Sequence, residues 1–526
     1  MDCQFREDMK RVYRYLIVCV LAAAAFSACV EKAETNPRQN QNQQQQGQQQ
    51  QGQGQQVSQK PSDEIQQADQ FAKDMFSVYY LWNKEINSDL NRLSPDTCKS
   101  PITVVEEIRY HKSGKEVDHW TQLTNNLGSM TSSVQGLGLT YGYELQAGRI
   151  TNKNGVYFLI VCYVVKDSPA EKGGLKRGDL IMTIDGSEIT ASNIYDAFNT
   201  KSVKLGIAHL TADQQQIGPV EKQVDLTAVD MWENPVVVNK TFDIDGKKVG
   251  YLVYNSFDVN SLETLPVIFR QFREEGIKEL ILDLRYNGGG YVITECALAS
   301  MIAPPAAVAA GEVFQTEVYN SLLTEAWKDE DFNTYFSTTH TFKDSDQGID
   351  INVNVADANP GVSKLYVIVT GGSASASEGL IVGLGPYMDI TLVGQQTYGK
   401  YCAGWMLSPE HVYGTTSTFD YSKITKWGMY VMVSKFADKN RQNSAEPDGI
   451  PVDIKAEDDV FDGYQLGDEN ETMLKAALKA AGKTYAETKA AEPGKPYRTE
   501  FIERDIPRGI LIKNGLPAPF DLSSVR

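Results

Sequence analysis

Residues 364–400 read KLYVIVTGGSASASEGLIVGLGPYMDITLVGQQTYGK. Two short apolar runs, 364–370 and 389–395, are rich in β-branched residues and predict buried strands. Between them, 375–385 predicts a short helix closed by Pro386, because proline cannot continue a helical ladder. Strand, small-residue turn, helix and strand in that order predict an α/β layer, with Ser375 where strand hands over to helix. At a helix N-terminus the free N–H groups and the dipole favour developing negative charge. The small residues flanking Ser375 let backbone come close to a bound molecule.

A serine hydroxyl is a weak nucleophile until a base takes its proton, and lysine can do so only if burial holds its amine neutral. Lys400 is the candidate base. The plainer alternative is a tight turn followed by a solvated loop lysine. Two blocks favour the first reading. SASASE (373–378) followed by Thr397-Tyr398-Gly399-Lys400 resembles the active-site region of the C-terminal processing peptidases, serine peptidases with a Ser/Lys dyad. In that family the middle serine is the nucleophile and the lysine follows 25 positions later, as Lys400 follows Ser375. Glu378 and Thr397 also fall on positions of the family pattern, which implies supporting roles for them. KELILDLRYNGGG (278–290) resembles the family's strand and Leu-Arg-x-Asn-Gly-Gly-Gly turn. The resemblance runs from about residue 64 to 480. It implies an oxyanion hole made by the N–H groups of Ala376 and of a glycine in 288–290, taken as Gly289. Tyr398, Trp405 and the apolar strands are the expected walls of the lysine's pocket. Two positions depart from the pattern: Pro386 stands where some relatives carry aspartate, and Gly404 where others carry glutamine. No third catalytic member is therefore assigned.

Outside these blocks the chain divides into further pieces, and the expected class is a multi-domain α+β protein. Residues 62–127 predict a small helical domain: Ser62 is a helix cap, Phe71, Met75, Tyr79 and Trp82 share a stripe, and 102–115 is a second amphipathic stretch. Residues 128–230 resemble a PDZ domain through SPAEKGGLKRGDLIMTIDG (168–186) and GLGLTYG (136–142). The resemblance places a peptide's terminal carboxylate at Gly136, Leu137, Gly138 and Leu139; successive glycine-loop N–H groups suit that task. The alternative is a domain that only packs on the catalytic one and gates it. Residues 231–490 alternate strands (247–257, 280–285, 449–454) with a helix over 261–276, and the family's catalytic domain implies a crotonase-like α/β architecture. Asp468 and Glu471 read as a capping pair before a helix over 473–481, and 491–526 as a C-terminal arm.

The first residues read as an export signal: Lys10, Arg11 and Arg14 precede the apolar run 16–28, too short to span a membrane as a helix. Phe26-Ser27-Ala28-Cys29 resembles a bacterial lipobox, which implies a signal over 1–28 and a lipid on Cys29; plain secretion is the alternative. The glutamine-rich residues 36–56 lack apolar surface to offset ordering and predict a tether within 29–61. The expected location is thus a lipid anchor in the outer membrane, on its periplasmic or outer face. The net charge of −18 carries no basic stripe and argues against nucleic acid; the expected partners are protein or peptide substrates. Cysteines and histidines show no ligand spacing, so neither metal nor cofactor is expected. Three other functions compete: a catalytically silent lipoprotein that binds protein tails, a Ser-His-Asp hydrolase using His411, and an acyl-CoA enzyme of crotonase type.

Overall fold

The computed structural model describes residues 60–134, 136–150, 156–211, 217–344, 348–414 and 417–486, with two further strands at 499–501 and 510–512. The expected signal, Cys29 and the glutamine-rich tract lie outside the described residues.

Ser62 caps helix α1 (Asp63–Val78), accepting from the Ile65 N–H, with Asp63 and Glu64 in the first turn where the helix dipole favours them. Helix α2 (Pro101–Ile108) ends sooner than the sequence predicts. Ser113 and Gly114 take left-handed φ of 52° and 79° and turn 111–116 into a two-stranded hairpin. Strand β1 (Gln122–Thr124) then joins a strand of the catalytic region. Phe71, Met75, Phe76, Tyr80 and Trp120 share one apolar core with Leu252, Leu282, Leu380 and Met432. The N-terminal helices are thus built onto the catalytic body, and this is what brings Trp120 to the site.

The PDZ region has its own core around Leu145, Val161, Ile181 and Leu205. Its sheet contains β2 (Tyr143–Ile150), β3 (Tyr157–Val164), β4 (Leu180–Ile184), β5 (Ser202–Ala208) and β6 (Lys222–Thr227). They lie in the order β6-β5-β4-β3-β2, with Thr499–Phe501 added antiparallel beside β2. Ser168 caps the single turn Pro169–Lys172 by accepting from Glu171 N–H. Leu137–Thr140 lies outside this sheet, in a ribbon with Val229–Trp232.

The catalytic region is two sheets. The first runs β7 (Val236–Ile244), β8 (Lys247–Tyr254), β9 (Glu279–Asp283), β11 (Lys364–Val369), β12 (Asp389–Gly394) and β15 (Ile454–Lys455). It is parallel from β8 onward, and helices α3 (Ser261–Glu275), α4 (Val292–Ile302) and α5 (Ala376–Leu384) lie in the connections between its strands. Gly276 ends α3 at φ 75°, as a left-handed C-cap should. The predicted strand 449–454 is replaced by the two-residue β15: Ile450 and Thr397 pair outside any ladder, Asp453 bonds Leu392, and only Ile454 and Lys455 pair with β12 in a ladder. Glu471 caps α6 (Thr472–Ala480) by accepting from Leu474 N–H, while Asp468 serves the turn before it. The second sheet holds β13 (Cys402–Leu407) and β14 (Gly428–Ala437), flanked by β10 (Val313–Tyr319) and β1. Gly289–Tyr291 belongs to it through Ile510–Ile512, which also meets Gly404.

A buried cluster of charge joins the PDZ region to the first sheet. Arg285 donates to Asp283, to Glu471 (2.7 and 2.9 Å) and to Asp458 (2.9 Å), with both Arg285 and Glu471 fully buried. Arg177, in the turn before β4, donates to Asp458 (2.5 Å) and to the Tyr286 hydroxyl (2.6 Å). Phe158 and Ile160 of β3 pack nearby with Val460 and Phe461. All four described cysteines, Cys98, Cys162, Cys296 and Cys402, are buried free thiols.

Candidate active site

Ser375 is the N-cap of α5 at the C-terminal end of β11, at φ 62° and ψ −112°. A non-glycine residue held there stores roughly 1–3 kcal/mol and persists only when its surroundings fix it. Those surroundings are visible. Asn287 donates to Tyr254 O, accepts from Gly289 N–H, and through its own carbonyl accepts from Ala374 N–H and the Ser377 hydroxyl. Ser373 and Thr370 tie the same turn to the carbonyls of Leu284 and Arg285. The glycine-rich turn after β9 and the serine turn after β11 are therefore one welded unit.

Gly289 takes φ 109°, and a Cβ there would sit 2.8 Å from Ser375 Cβ and 3.1 Å from Ala376 N. Its missing side chain keeps the space before the Ala376 N–H open. The Gly289 N–H, the expected second oxyanion donor, is bonded to Asn287 Oδ1 at 2.8 Å in this structure. Ala376 N–H, at the first turn of α5, remains the donor that the geometry offers.

Glu378 and Thr397 act through backbone. The buried Glu378 carboxylate accepts from Ser375 N–H (2.9 Å), Thr397 Oγ1 (2.6 Å), Gly399 N–H (2.7 Å) and Lys400 N–H (2.9 Å). It thereby clamps the loop before β13 to the first turn of α5, and Thr397 passes the clamp on by accepting from Ile450 N–H. Burial pushes the carboxyl upward, against those donors.

The Lys400 side chain is fully buried. Loss of water lowers its amine to about 8, against the opposing pull of Cys402, Asp118 and Glu378. The Nζ donates to the Tyr430 hydroxyl at 3.0 Å and lies 5.2 Å from the ring centres of both Tyr430 and Trp120. Those two rings are walls the sequence did not single out. Of the expected walls, Tyr398 meets the edge of Trp120 and Trp405 packs among Tyr79, Tyr319 and Trp327. Ser375 Oγ is buried with no hydrogen-bond partner, so serine and lysine are not bonded to each other here. Gly404 is also explained: a Cβ there would meet Tyr430 Cε2 at 2.6 Å, so the tyrosine ring fills the space of a side chain at that position.

His411 caps its own short helix, Pro409–Tyr413, by accepting from Ser408 N–H, and takes no part in this cluster. Among the described residues no group of three or more His, Cys, Asp or Glu side chains could hold a metal ion, and no helix is long and apolar enough to cross a membrane. Of the peptide-site residues, Gly136 and Gly138 have positive φ, while Leu137 and Leu139 are exposed.

The chain thus holds a strained serine at a helix N-terminus and a fully buried lysine on an α/β body that also carries a separate β-rich region. Residues 248–456 match peptidase family S41, and residues 160–199 match the PDZ domain. The chain is 27% identical over 274 residues to a carboxyl-terminal-processing protease of Synechocystis, covering 51% of this chain and 54% of that protein. It is 29% identical over 166 residues to the carboxy-terminal processing protease CtpB of Bacillus subtilis, covering 31% and 32%. It thus spans about half the length of the first of these relatives and a third of the other. A crystal structure assigned to the S41 proteases, from Bacteroides fragilis, superposes with a TM-score of 0.60 at 22% identity, over 78% of this chain and 96% of that one, and shares its fold. These matches, carried by residues 248–456 and 160–199, support a place among the C-terminal processing peptidases, whose members are serine-type peptidases.

Proposed function

We propose that this chain cleaves peptide bonds of exported proteins near their C-termini, with Ser375 as nucleophile and Lys400 as general base. Ser375 Oγ attacks the scissile carbonyl carbon while its proton passes to neutral Lys400 Nζ. The C–N bond breaks as Nζ returns that proton to the departing amine, leaving an acyl ester on Ser375. Water then adds to the ester, giving a proton to Nζ. That proton passes to Ser375 Oγ as the C–O bond breaks and the shortened protein leaves. The Ala376 N–H stabilises the oxyanion in both steps. The observations that carry this reading are a fully buried amine lowered to about 8 and a strained serine that faces a space kept clear by Gly289. Hydrogen bonds of the catalytic kind are often unformed before substrate arrives, which suits the unpartnered Ser375 hydroxyl.

Exposed Leu137 and Leu139, beside the positive-φ Gly136 and Gly138, support recognition of an apolar protein tail at the PDZ region. Cys29 as a lipid anchor would place the enzyme at the cell envelope. The second reading, a silent binder of protein tails, is favoured by one fact: the lysine amine is bonded to Tyr430 and the serine hydroxyl to nothing. A serine-directed acylating probe separates them. The wild-type chain should be labelled at Ser375 and the Lys400→Arg variant should not; an unlabelled wild-type protein means a binder. Mass spectrometry of envelope proteins with and without active enzyme then finds the substrates by their shortened C-termini.

A further inference from the structure

We propose that Tyr430 is the positioning residue for the Lys400 amine, with Trp120 as the opposite wall; this rests on the peptidase reading above. Tyr430 lies on β14, fully inside the molecule, and its hydroxyl accepts from Lys400 Nζ at 3.0 Å. Its ring lies across Gly404, with Cε2 2.6 Å from where a Cβ would stand, and Met432 Cε lies 2.5 Å from the same point. Gly404 therefore has a reason to be glycine that is independent of turns or strain. It lies in the interior of β13, where a side chain would displace the tyrosine. Trp120 is set just as firmly. Its N–H and that of Thr121 donate to Asp118 Oδ1 (2.9 and 3.0 Å), Tyr80 donates to Asp118 Oδ2 (2.7 Å), and Thr121 Oγ1 accepts from Met432 N–H of β14. The N-terminal region thus delivers one face of the pocket and β14 the other.

The groups that bear on the amine's charge come from four directions. Asp118 lies before β1, Glu378 on α5, Cys402 on β13 and Tyr430 on β14. The oxygens of Asp118 and Glu378 are engaged by backbone N–H groups and by the Tyr80 and Thr397 hydroxyls. The phenol oxygen of Tyr430 is the neutral acceptor in direct contact with Nζ. An ammonium donates a stronger hydrogen bond than an amine, and an aromatic face also favours the cation. Tyr430 therefore does two things. It fixes where Nζ sits, and it keeps the amine from losing its basicity altogether in a pocket without water.

The test is the pH profile of Ser375 acylation by a serine-directed probe, in the full chain. Tyr430→Phe keeps the ring and removes the oxygen. The acid limb should move down by about one pH unit, and the limiting rate should fall roughly ten- to hundredfold as the amine loses its fixed place. A purely structural tyrosine would change thermal stability and leave the limb where it was. Gly404→Ala reaches the same hydroxyl from behind, by pushing the ring, and should move the limb in the same direction. An unmoved limb in Tyr430→Phe, or an upward one, overturns the assignment; should that variant not fold, Gly404→Ala decides by the same criterion. If the wild-type protein shows no acylation at any pH, the peptidase reading itself fails, a result distinct from a wild-type limb that the variants leave in place.

Discussion

Among the described residues of the α/β body, Arg285 and Lys400 are the two fully buried cations, and they are treated in opposite ways. Arg285 is surrounded by Asp283, Asp458 and Glu471 and has all of its nitrogens engaged by carboxylates. Burial works against its charge, but those carboxylates outweigh it and hold the guanidinium charged well beyond its ordinary range. Lys400 has equal burial, but its surroundings are aromatic faces and a phenol, and its amine falls to about 8. Burial alone does not set the fate of a cation. What decides is whether carboxylates are brought into contact with it. One site is built to stay charged and join two regions; the other favours a neutral amine.

The comparison breaks most visibly at the site that gives up its charge. Replacing Lys400 with arginine puts a group there that cannot become neutral. Turnover should fall by about 10²–10⁴-fold, the usual contribution of a general base, together with a loss of stability, because the guanidinium stays charged in a pocket without carboxylate contacts; near-normal activity on a peptide substrate would sink the assignment of the base. In the wild-type protein, activity should rise as pH passes through about 8, since the base works only when deprotonated. A flat profile from mildly acid to alkaline pH counts against it.

Methionine at each position sharpens the contrast, because the two effects have opposite sign. Arg285→Met strands Asp283 and Glu471 without their counter-charge and should cost about 3–5 kcal/mol of stability. Lys400→Met should stabilise. The folded amine, near 8, lies below its unfolded value of 10.5, so the unfolded chain binds more protons between those values and stability falls as pH drops through that window. At neutral pH the deficit is on the order of 3 kcal/mol, and methionine abolishes it. Chemical denaturation at pH 7 of both variants checks the pair. A destabilised Lys400→Met would mean that the lysine is better compensated than its surroundings indicate.

How far the sequence carried differs between these regions for a physical reason. Ser375, Lys400, Glu378 and the glycine turn lie in two short contiguous blocks, so their spacing is readable along the chain. So are the helices with clear caps, such as Ser62 with α1 and Gly276 with α3. Trp120, Tyr430 and Asn287 were not assigned roles in advance, because their meaning lies in contacts between elements far apart in sequence. A tyrosine in an apolar strand reads as core until the strand beside it is known to hold Gly404. The partner of the Gly289 N–H is a local matter that the motif alone does not show: Asn287, two residues earlier, folds back and accepts from it. Arg285 and Glu471 were seen only as a motif residue and a helix cap, since nothing along the chain shows that 186 positions close into an ion pair.

Glu378 stands between the two treatments and gives the smallest of these effects. It is a buried charge, like those of the arginine cluster, but its partners are three backbone N–H groups and one hydroxyl. Four donors aimed at one carboxyl favour its ionised form, which can accept from all of them, against the burial that raises it. Glutamine keeps the shape and removes that capacity. Its NH₂ must face either Gly399 N–H or the pair from Ser375 and Lys400, so at least one backbone donor loses its acceptor. The cost should be about 1–3 kcal/mol, seen as a lower melting temperature. The removed charge also favoured the Lys400 cation, so the acid limb of activity should shift slightly toward lower pH, in the same direction as Tyr430→Phe but by less. If Glu378→Gln leaves stability and the limb unchanged, the clamp between the lysine loop and the first turn of α5 is not what holds base and nucleophile together.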